Sequence, residues 1–404
     1  MRAARNPSLA PRRRSLAALL AMAATLALGV GACGSDAPSQ DPGPLSKAPA
    51  GTKELAALGE PEGELRLVAP KGYADPGARW VSDFQNRTRC RVDVEEVAES
   101  DEIVALMETD EFDGALARGD TTLRLIAAGD AAPVNPRLVP NYVDVFDELR
   151  ERRWNSLEGR PYGIPQSRIA NVLTWRSDRV RPAPVSLRAV YNQAAGARGR
   201  VAVQDDPMVI AEAAMHLRST RPELKIENPY ELDDEQFTAA VGLLQLQQPS
   251  VGSYWSGLDE VSGRFASAVV ALGTAPQRVG ERLAARGAAI KTAMPGEGAT
   301  GWSDTWMIHP KAQNPTCMYL WMNHMASPQV NAEVARWSGA APANRRACDI
   351  ASARRHCDAV RALDSGFFAQ VSYWTTPRKE CGDERGLICK DYSEWAKAWA
   401  EIKG

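Results

Sequence analysis

The segment Glu64–Ala69 (ELRLVA) alternates charged and apolar side chains before running apolar, which predicts a strand with buried faces. From Pro76 to about Arg87 the apolar residues Trp80, Val81 and Phe84 fall on one helical face. Cys90–Val97 alternates again as a strand, and Asp101–Thr109 returns to helical spacing. Further on, Val201, Ala202 and Val203 run into Asp205-Asp206-Pro207 and an apolar helix reaching Leu217. Strand followed by helix, repeated in this way, predicts an α/β architecture. Asn314-Pro315 and Ser327-Pro328 each place a capping residue before a proline at the first helical position, and Gly339 closes the second of these helices. Trp395 and Trp399, four apart near the end of the chain, mark the packed face of a last helix.

The chain has 404 residues, and its first 32 differ from the rest. Arg12, Arg13 and Arg14 precede an uncharged run from Leu16 to Val30, the pattern of a secretory signal. That run falls short of the ~20 residues that a membrane-crossing helix needs. The junction Val30-Gly31-Ala32-Cys33-Gly34 has the form of a bacterial lipobox, so cleavage before Cys33 and lipidation of its thiol are expected. Two acyl chains at ~0.8 kcal/mol per buried CH₂ hold a protein at a membrane stably where one does not. Residues 33–62 are rich in Ser, Pro, Gly, Asp and Ala and predict a disordered tether with a reach of roughly 30 Å. The remaining roughly 340 residues exceed the usual size of one core, which predicts two lobes.

Losing five arginines and no acids with the signal takes the formal charge from −2 to −7. A nucleic-acid binder of the usual basic kind is thereby disfavoured. Seven cysteines become six beyond Cys33, an even number that argues for disulfides outside the cytosol. Six cysteines allow 15 connectivities. Sequence proximity favours Cys348 with Cys357 and Cys381 with Cys389, which leaves Cys90 for Cys317. No cysteine or histidine spacing suits a metal, and His216, His309, His324 and His356 are scattered. Nucleophile-elbow, phosphate-loop and dinucleotide motifs are missing. The chain therefore reads as a binder rather than an enzyme, with no cofactor.

One stretch concentrates candidate binding chemistry: GWSDTWMIHP, Gly301–Pro310. Together with ELRLVAPKGYADPG, EFDGALARGD, PYGIPQSRIANVLTW, VAVQDDPMVIAEAAMHL and SPQV, it makes the chain from about Gly63 onward resemble the extracellular solute-binding lipoproteins of bacterial ABC transporters, of the spermidine/putrescine-binding type. The resemblance implies a type II periplasmic-binding-protein-like clamp: two α/β lobes, each a sheet flanked by helices, joined by hinge strands. It places 63–170 and 303–404 in the first lobe and 171–302 in the second. It implies a monomer, tethered on the outer face of the cytoplasmic membrane or in the periplasm, that delivers a polyamine-like cation to permease subunits.

Residue by residue, the resemblance gives ligand contacts to Tyr73, Asp206, Trp302, Asp304 and, less securely matched, Trp374. These types suit the task. A cation over an aromatic face gains about 0.5–2 kcal/mol, and a charge-assisted bond to carboxylate about 1.5–3 kcal/mol. Asp206 before Pro207 also suits a helix cap, and Trp306, inside the apolar run, reads as core. The chain departs from the pattern in having Val209 where the family has an acid, and in lacking an aromatic within AVVALGTAP, Ala268–Pro276; Trp255 lies well upstream of that segment. Arg118, Asp120, Arg168 and Trp255 are the candidates for cleft-facing positions. Arginines there would bind a carboxylate instead. An anion-bearing solute held by Arg118 or Arg168, or a non-transport surface lipoprotein or sensor, are the alternatives.

Overall fold

The structure, a computed structural model, describes residues 49, 52–192, 198–382 and 386–404. The expected signal, the lipidated Cys33 and most of the tether lie outside the described residues.

Five strands form the first sheet, in the order Arg91–Val97, Glu64–Pro70, Gly114–Ala117, Thr305–Ile308 and Ile164–Pro165. The first three are parallel, and the last two add antiparallel pairings. Leu65, Leu67, Val68 and Ala69 are all buried because helices cover both faces of this sheet. On one side the helix Arg79–Thr88 presses Trp80, Val81 and Phe84 inward, and Phe84 meets Trp321 edge-on at 5.1 Å. This helix starts three residues later than the periodicity predicts, because Asp75 Oδ1 accepts the Gly77 N–H at 2.7 Å and holds Asp75-Pro76-Gly77 as a turn. The next helix, Ser100–Met107, opens on a capping box between Glu99 and Glu102.

The second sheet is built on one long strand, Ser167–Arg176. In order it comprises Val371–Tyr373, Ala299–Trp302, Ser167–Arg176, Leu272–Pro276, Val201–Gln204 and Val251–Trp255; Ile290–Ala293 and Ala341–Pro342 also pair with the long strand. Helices Val209–Thr220 and Asp234–Gln247 pack against it. The C-terminal helix, Tyr392–Lys403, joins this second body, where Trp395, Ala398, Trp399 and Ile402 share its core. Trp399 Nε1 donates to Asp205 at 3.0 Å and Lys403 pairs with the same carboxylate at 2.7 Å. The expected grouping of 303–404 with the first lobe therefore fails for this helix, whose Trp face finds its apolar partners in the second.

The chain passes between the sheets at two neighbouring points. Gln166 lies between Ile164–Pro165 and Ser167–Arg176, and Ser303-Asp304 lies between Ala299–Trp302 and Thr305–Ile308. The Gln166 N–H donates to the Asp304 carbonyl at 2.7 Å, and the Ser303 hydroxyl to the Ser167 carbonyl at 2.8 Å. The two passages are thus tied side by side.

Helices Pro315–Met325 and Pro328–Ser338 both begin with proline, and Gly339 ends the second with φ 76°. The expected side-chain caps differ. Asn314 Nδ2 donates to Asp113 and the Ser327 hydroxyl to the His324 carbonyl. Instead Glu62 takes the N–H groups of Thr316 and Cys317, both at 2.9 Å, placing a carboxylate at that helix N-terminus. Those bonds hold its pKa below the ordinary carboxylate range in spite of burial. The predicted tether accordingly stops short of residue 62: Asn135 donates to the Leu55 carbonyl and Gly59 to Thr316, so this end of it is docked. Disulfides join Cys90 to Cys317, Cys348 to Cys357 and Cys381 to Cys389.

Candidate functional site

Beside the two passages a cavity of about 830 Å³ opens, walled by residues of both sheets. From the first side come Tyr73, in the turn after Glu64–Pro70, and Arg118, after Gly114–Ala117. Ile169, Gln204, Trp255, Trp302 and Arg278 come from the second. Asp304 enters from the passage itself and is 4% exposed.

Asp304 organises the floor. Its Oδ2 accepts the Ser167 hydroxyl at 2.6 Å and the Tyr73 hydroxyl at 3.3 Å. Oδ1 has no donor among the described residues. Burial raises the pKa of this carboxyl above its ordinary value, with Arg118 and the two hydroxyls working against that rise. Burial likewise raises that of the Tyr73 phenol, reinforced by Asp304, so Tyr73 is a neutral hydrogen-bond donor at neutral pH.

Arg118 lies over the Trp302 ring, 5.7 Å from its centroid. Burial disfavours its charge, but Asp120, Asp304 and Asp206 raise its basicity overall. Behind Trp302 stands Trp374, with ring centroids 4.9 Å apart. At the mouth, Tyr73 meets Trp337 edge-on at 5.1 Å, and Trp337 is 47% exposed. Gly72, at φ 86°, lies so close to the Trp337 ring that a Cβ there would come within 2.4 Å of it.

The expected residues divide into two groups. Tyr73, Trp302, Asp304, Arg118 and Trp255 share the cavity wall. Trp374, Asp206 and Asp120 stand outside it: Trp374 is 1% exposed, Asp206 Oδ1 accepts the Met208 N–H at 2.8 Å in the turn before the helix, and Asp120 accepts the Thr121 hydroxyl at 3.2 Å. Burial and the nearby Asp120 push the Asp206 carboxyl upward. Both aspartates act on the cavity by their charge, which Arg118 feels from each of them. Arg168 is no cleft residue at all. Fully buried, its guanidinium is held 3.9 Å from the centroids of both Phe146 and Phe368, donates to the Ala362 carbonyl and pairs with Glu148 at 2.6 Å. On the long strand its side chain turns away from the passage that its neighbour Ser167 faces.

Sequence reasoning missed Gln204, Arg278 and Trp337. Arg278 carries no motif, and follows the aromatic-free AVVALGTAP segment by two residues. Trp337 is the penultimate residue of an ordinary helix, and only the structure shows that it is exposed. Trp306 is core as expected, donating from Nε1 to Gln166 at 3.0 Å. The four histidines are internal; His324 and His356 bond to backbone carbonyls, and His216 and His309 face Glu297 and Asp110. Among the described residues there is no metal-holding cluster and no helix long and apolar enough to cross a membrane.

No protein-family model matches the chain. Solved structures do resemble it. The spermidine/putrescine ABC transporter substrate-binding protein PotD from Streptococcus pneumoniae, in complex with calcium and HEPES, superposes with TM-score 0.66 at 15% identity, covering 84% of this chain and 98% of that one. The TpPotD lipoprotein of Treponema pallidum gives TM-score 0.63 at 15% identity, covering 84% and 99%. The binding protein MotA from A. tumefaciens B6, in complex with glucopine, gives TM-score 0.63 at 16% identity, covering 84% and 100%. These likenesses show the fold: a two-lobed α/β clamp of the periplasmic-binding-protein type.

Proposed function

We propose that this chain is the solute-binding subunit of an ABC importer, which captures a small amine-bearing organic solute in the cavity and passes it to membrane permease subunits. One observation carries the reading: a cavity of about 830 Å³ sits beside two adjoining interlobe passages, with a buried carboxylate on its floor. That is the size and placement of a small-molecule site. Asp304 Oδ1 takes the amine, while Tyr73, Trp302 and Trp255 supply ring surface for its carbon chain. Capture shifts the lobes toward closure by the difference in the solute's affinity for closed and open forms. The residues 63–165 with most of 303–391 form one lobe of the clamp, and the sheet built on Ser167–Arg176 with the last helix the other. The chain acts by capture rather than turnover, as a lipid-anchored protein tethered through Cys33 outside the cytoplasmic membrane.

Polyamines are the simplest such solutes, and the structural relatives named for spermidine and putrescine support testing them first. Isothermal titration of the mature protein with putrescine and spermidine is expected to give saturable heat, with an affinity that Asp304→Asn lowers at least tenfold. A folded protein that carries no solute through native purification, and that answers neither amine, would count against capture altogether. The rival arrangement, a carboxylate held by Arg118 or Arg168, loses Arg168 to its sealed position and finds Arg118 already among three carboxylates.

A further inference from the structure

Exposed charges at the cavity mouth and charges in its interior act differently. Asp75, Glu96, Glu99, Asp259 and Glu260 are exposed at the mouth, where water and salt screen them. The inner wall holds one carboxylate, Asp304, and two half-buried guanidinium groups, Arg118 and Arg278. Arg118 is answered by Asp120, Asp304 and Asp206. Arg278 is not: among the described residues it forms no ion pair, and its buried Nε has no hydrogen-bond partner. Burial, together with the neighbouring Arg282, lowers its basicity to about 10, with Tyr73, Asp259 and Asp304 offsetting this only in part. Its side chain reaches the cavity from the helix Gln277–Ala285 by passing Gly339, where a Cβ would come within 2.4 Å of the Arg278 Cδ. A glycine at φ 76° therefore both ends one helix and makes room for this arginine.

A buried cation without a partner is costly unless something supplies the opposite charge. A guanidinium presents a planar fork that matches a carboxylate. Resting on the solute-capture reading above, we infer that Arg278 receives an anionic oxygen group of the solute, so that the captured molecule carries a carboxylate-type anion as well as an amine. Asp304 and Arg278 then hold the two ends, one from the passage and one from the second lobe, and the solute bridges them. A simple polyamine would leave Arg278 unanswered and add positive charge beside it.

Three four-carbon probes separate these charges: putrescine, 4-aminobutyrate and succinate, titrated calorimetrically into the mature protein up to 50 mM. The expected result is that 4-aminobutyrate binds at least tenfold more tightly than putrescine, and that Arg278→Gln removes this preference. Arg278→Lys keeps the preference at reduced affinity, since the charge remains and the fork is lost. Solute-free Arg278→Gln melts no lower than the parent, because an unpaired cation has been removed. Putrescine binding as tightly as 4-aminobutyrate, a carboxylate preference surviving in Arg278→Gln, silence from all three probes, or a lower melting temperature of the free variant each overturns the inference. Solute capture is judged separately, by native mass spectrometry of the protein as purified. A bound solute without an anionic group sinks the assignment of Arg278 alone, and a protein that neither carries nor binds any solute sinks the capture reading as well.

Discussion

The Ser167 hydroxyl donates to Asp304 Oδ2 at 2.6 Å, joining the first residue of the long strand to the carboxylate of the returning passage. Both ends of the bond lie where the chain crosses between sheets, and both are buried. The carboxylate that faces the cavity is therefore also a fastening between the passages, and any movement of one sheet against the other is felt there.

Asp304→Asn keeps the volume of the side chain and removes its charge. Amine-bearing solutes are expected to lose at least tenfold in affinity by calorimetry, in line with a charge-assisted bond of about 1.5–3 kcal/mol. The solute-free protein should melt at the same temperature or higher, because burial already disfavours this charge.

Arg168 tests the division between cleft and core. Arg168→Ala removes a fully buried side chain held between two phenylalanine rings. A loss of about 2–5 kcal/mol in chemical denaturation is expected, as for other large-to-small changes in a core. Solute affinity of the folded variant should match the parent within twofold.

Acid and base act on the second lobe through a buried cluster. Glu212 accepts the Thr274 hydroxyl at 3.1 Å, and burial lifts its carboxyl to about 7. The folded state then binds a proton that the unfolded state releases above about pH 4.5, so this residue's contribution to stability falls as pH rises from about 4.5 to 7, by on the order of 3 kcal/mol. Glu297 works in the opposite sense. Hydrogen bonds from His216, Ser186 and the Leu187 N–H outweigh burial and bring it to about 2, so its contribution is lost as pH falls from about 4.5 to 2. Denaturant titrations at a series of pH values should show a shallower decline above pH 4.5 in Glu212→Gln, and a shallower decline below it in Glu297→Gln.

The three disulfides should differ in weight. Cys90 and Cys317 lie 227 residues apart, whereas the other pairs span 9 and 8. Closing the longer loop constrains the unfolded chain more. Cys90→Ser with Cys317→Ser is expected to cost about 2–5 kcal/mol in denaturant unfolding, and the paired serine variant at Cys381 and Cys389 distinctly less.

Sequence by itself determined the features that depend on neighbours along the chain. Apolar spacing placed Trp80, Val81 and Phe84 inward, proline marked the starts of two helices, Gly339 marked an end, and short cysteine separations singled out two local loops. Tyr73, Trp302 and Asp304 were picked out by the resemblance to solute-binding lipoproteins rather than by spacing, and all three line the cavity. Only the tertiary structure decided which side chains share a wall. Arg168 and Asp304 were both candidates for the cleft, yet the direction of one strand seals the first between Phe146 and Phe368, while the second passage aims the other at the cavity. Arg278 and Trp337 belong to segments far apart in sequence, with no local mark of function, and the last helix chose its lobe through Trp395 and Trp399. Burial and charge compensation are sums over neighbours in space, and chain spacing fixes them only where those neighbours are also close in sequence.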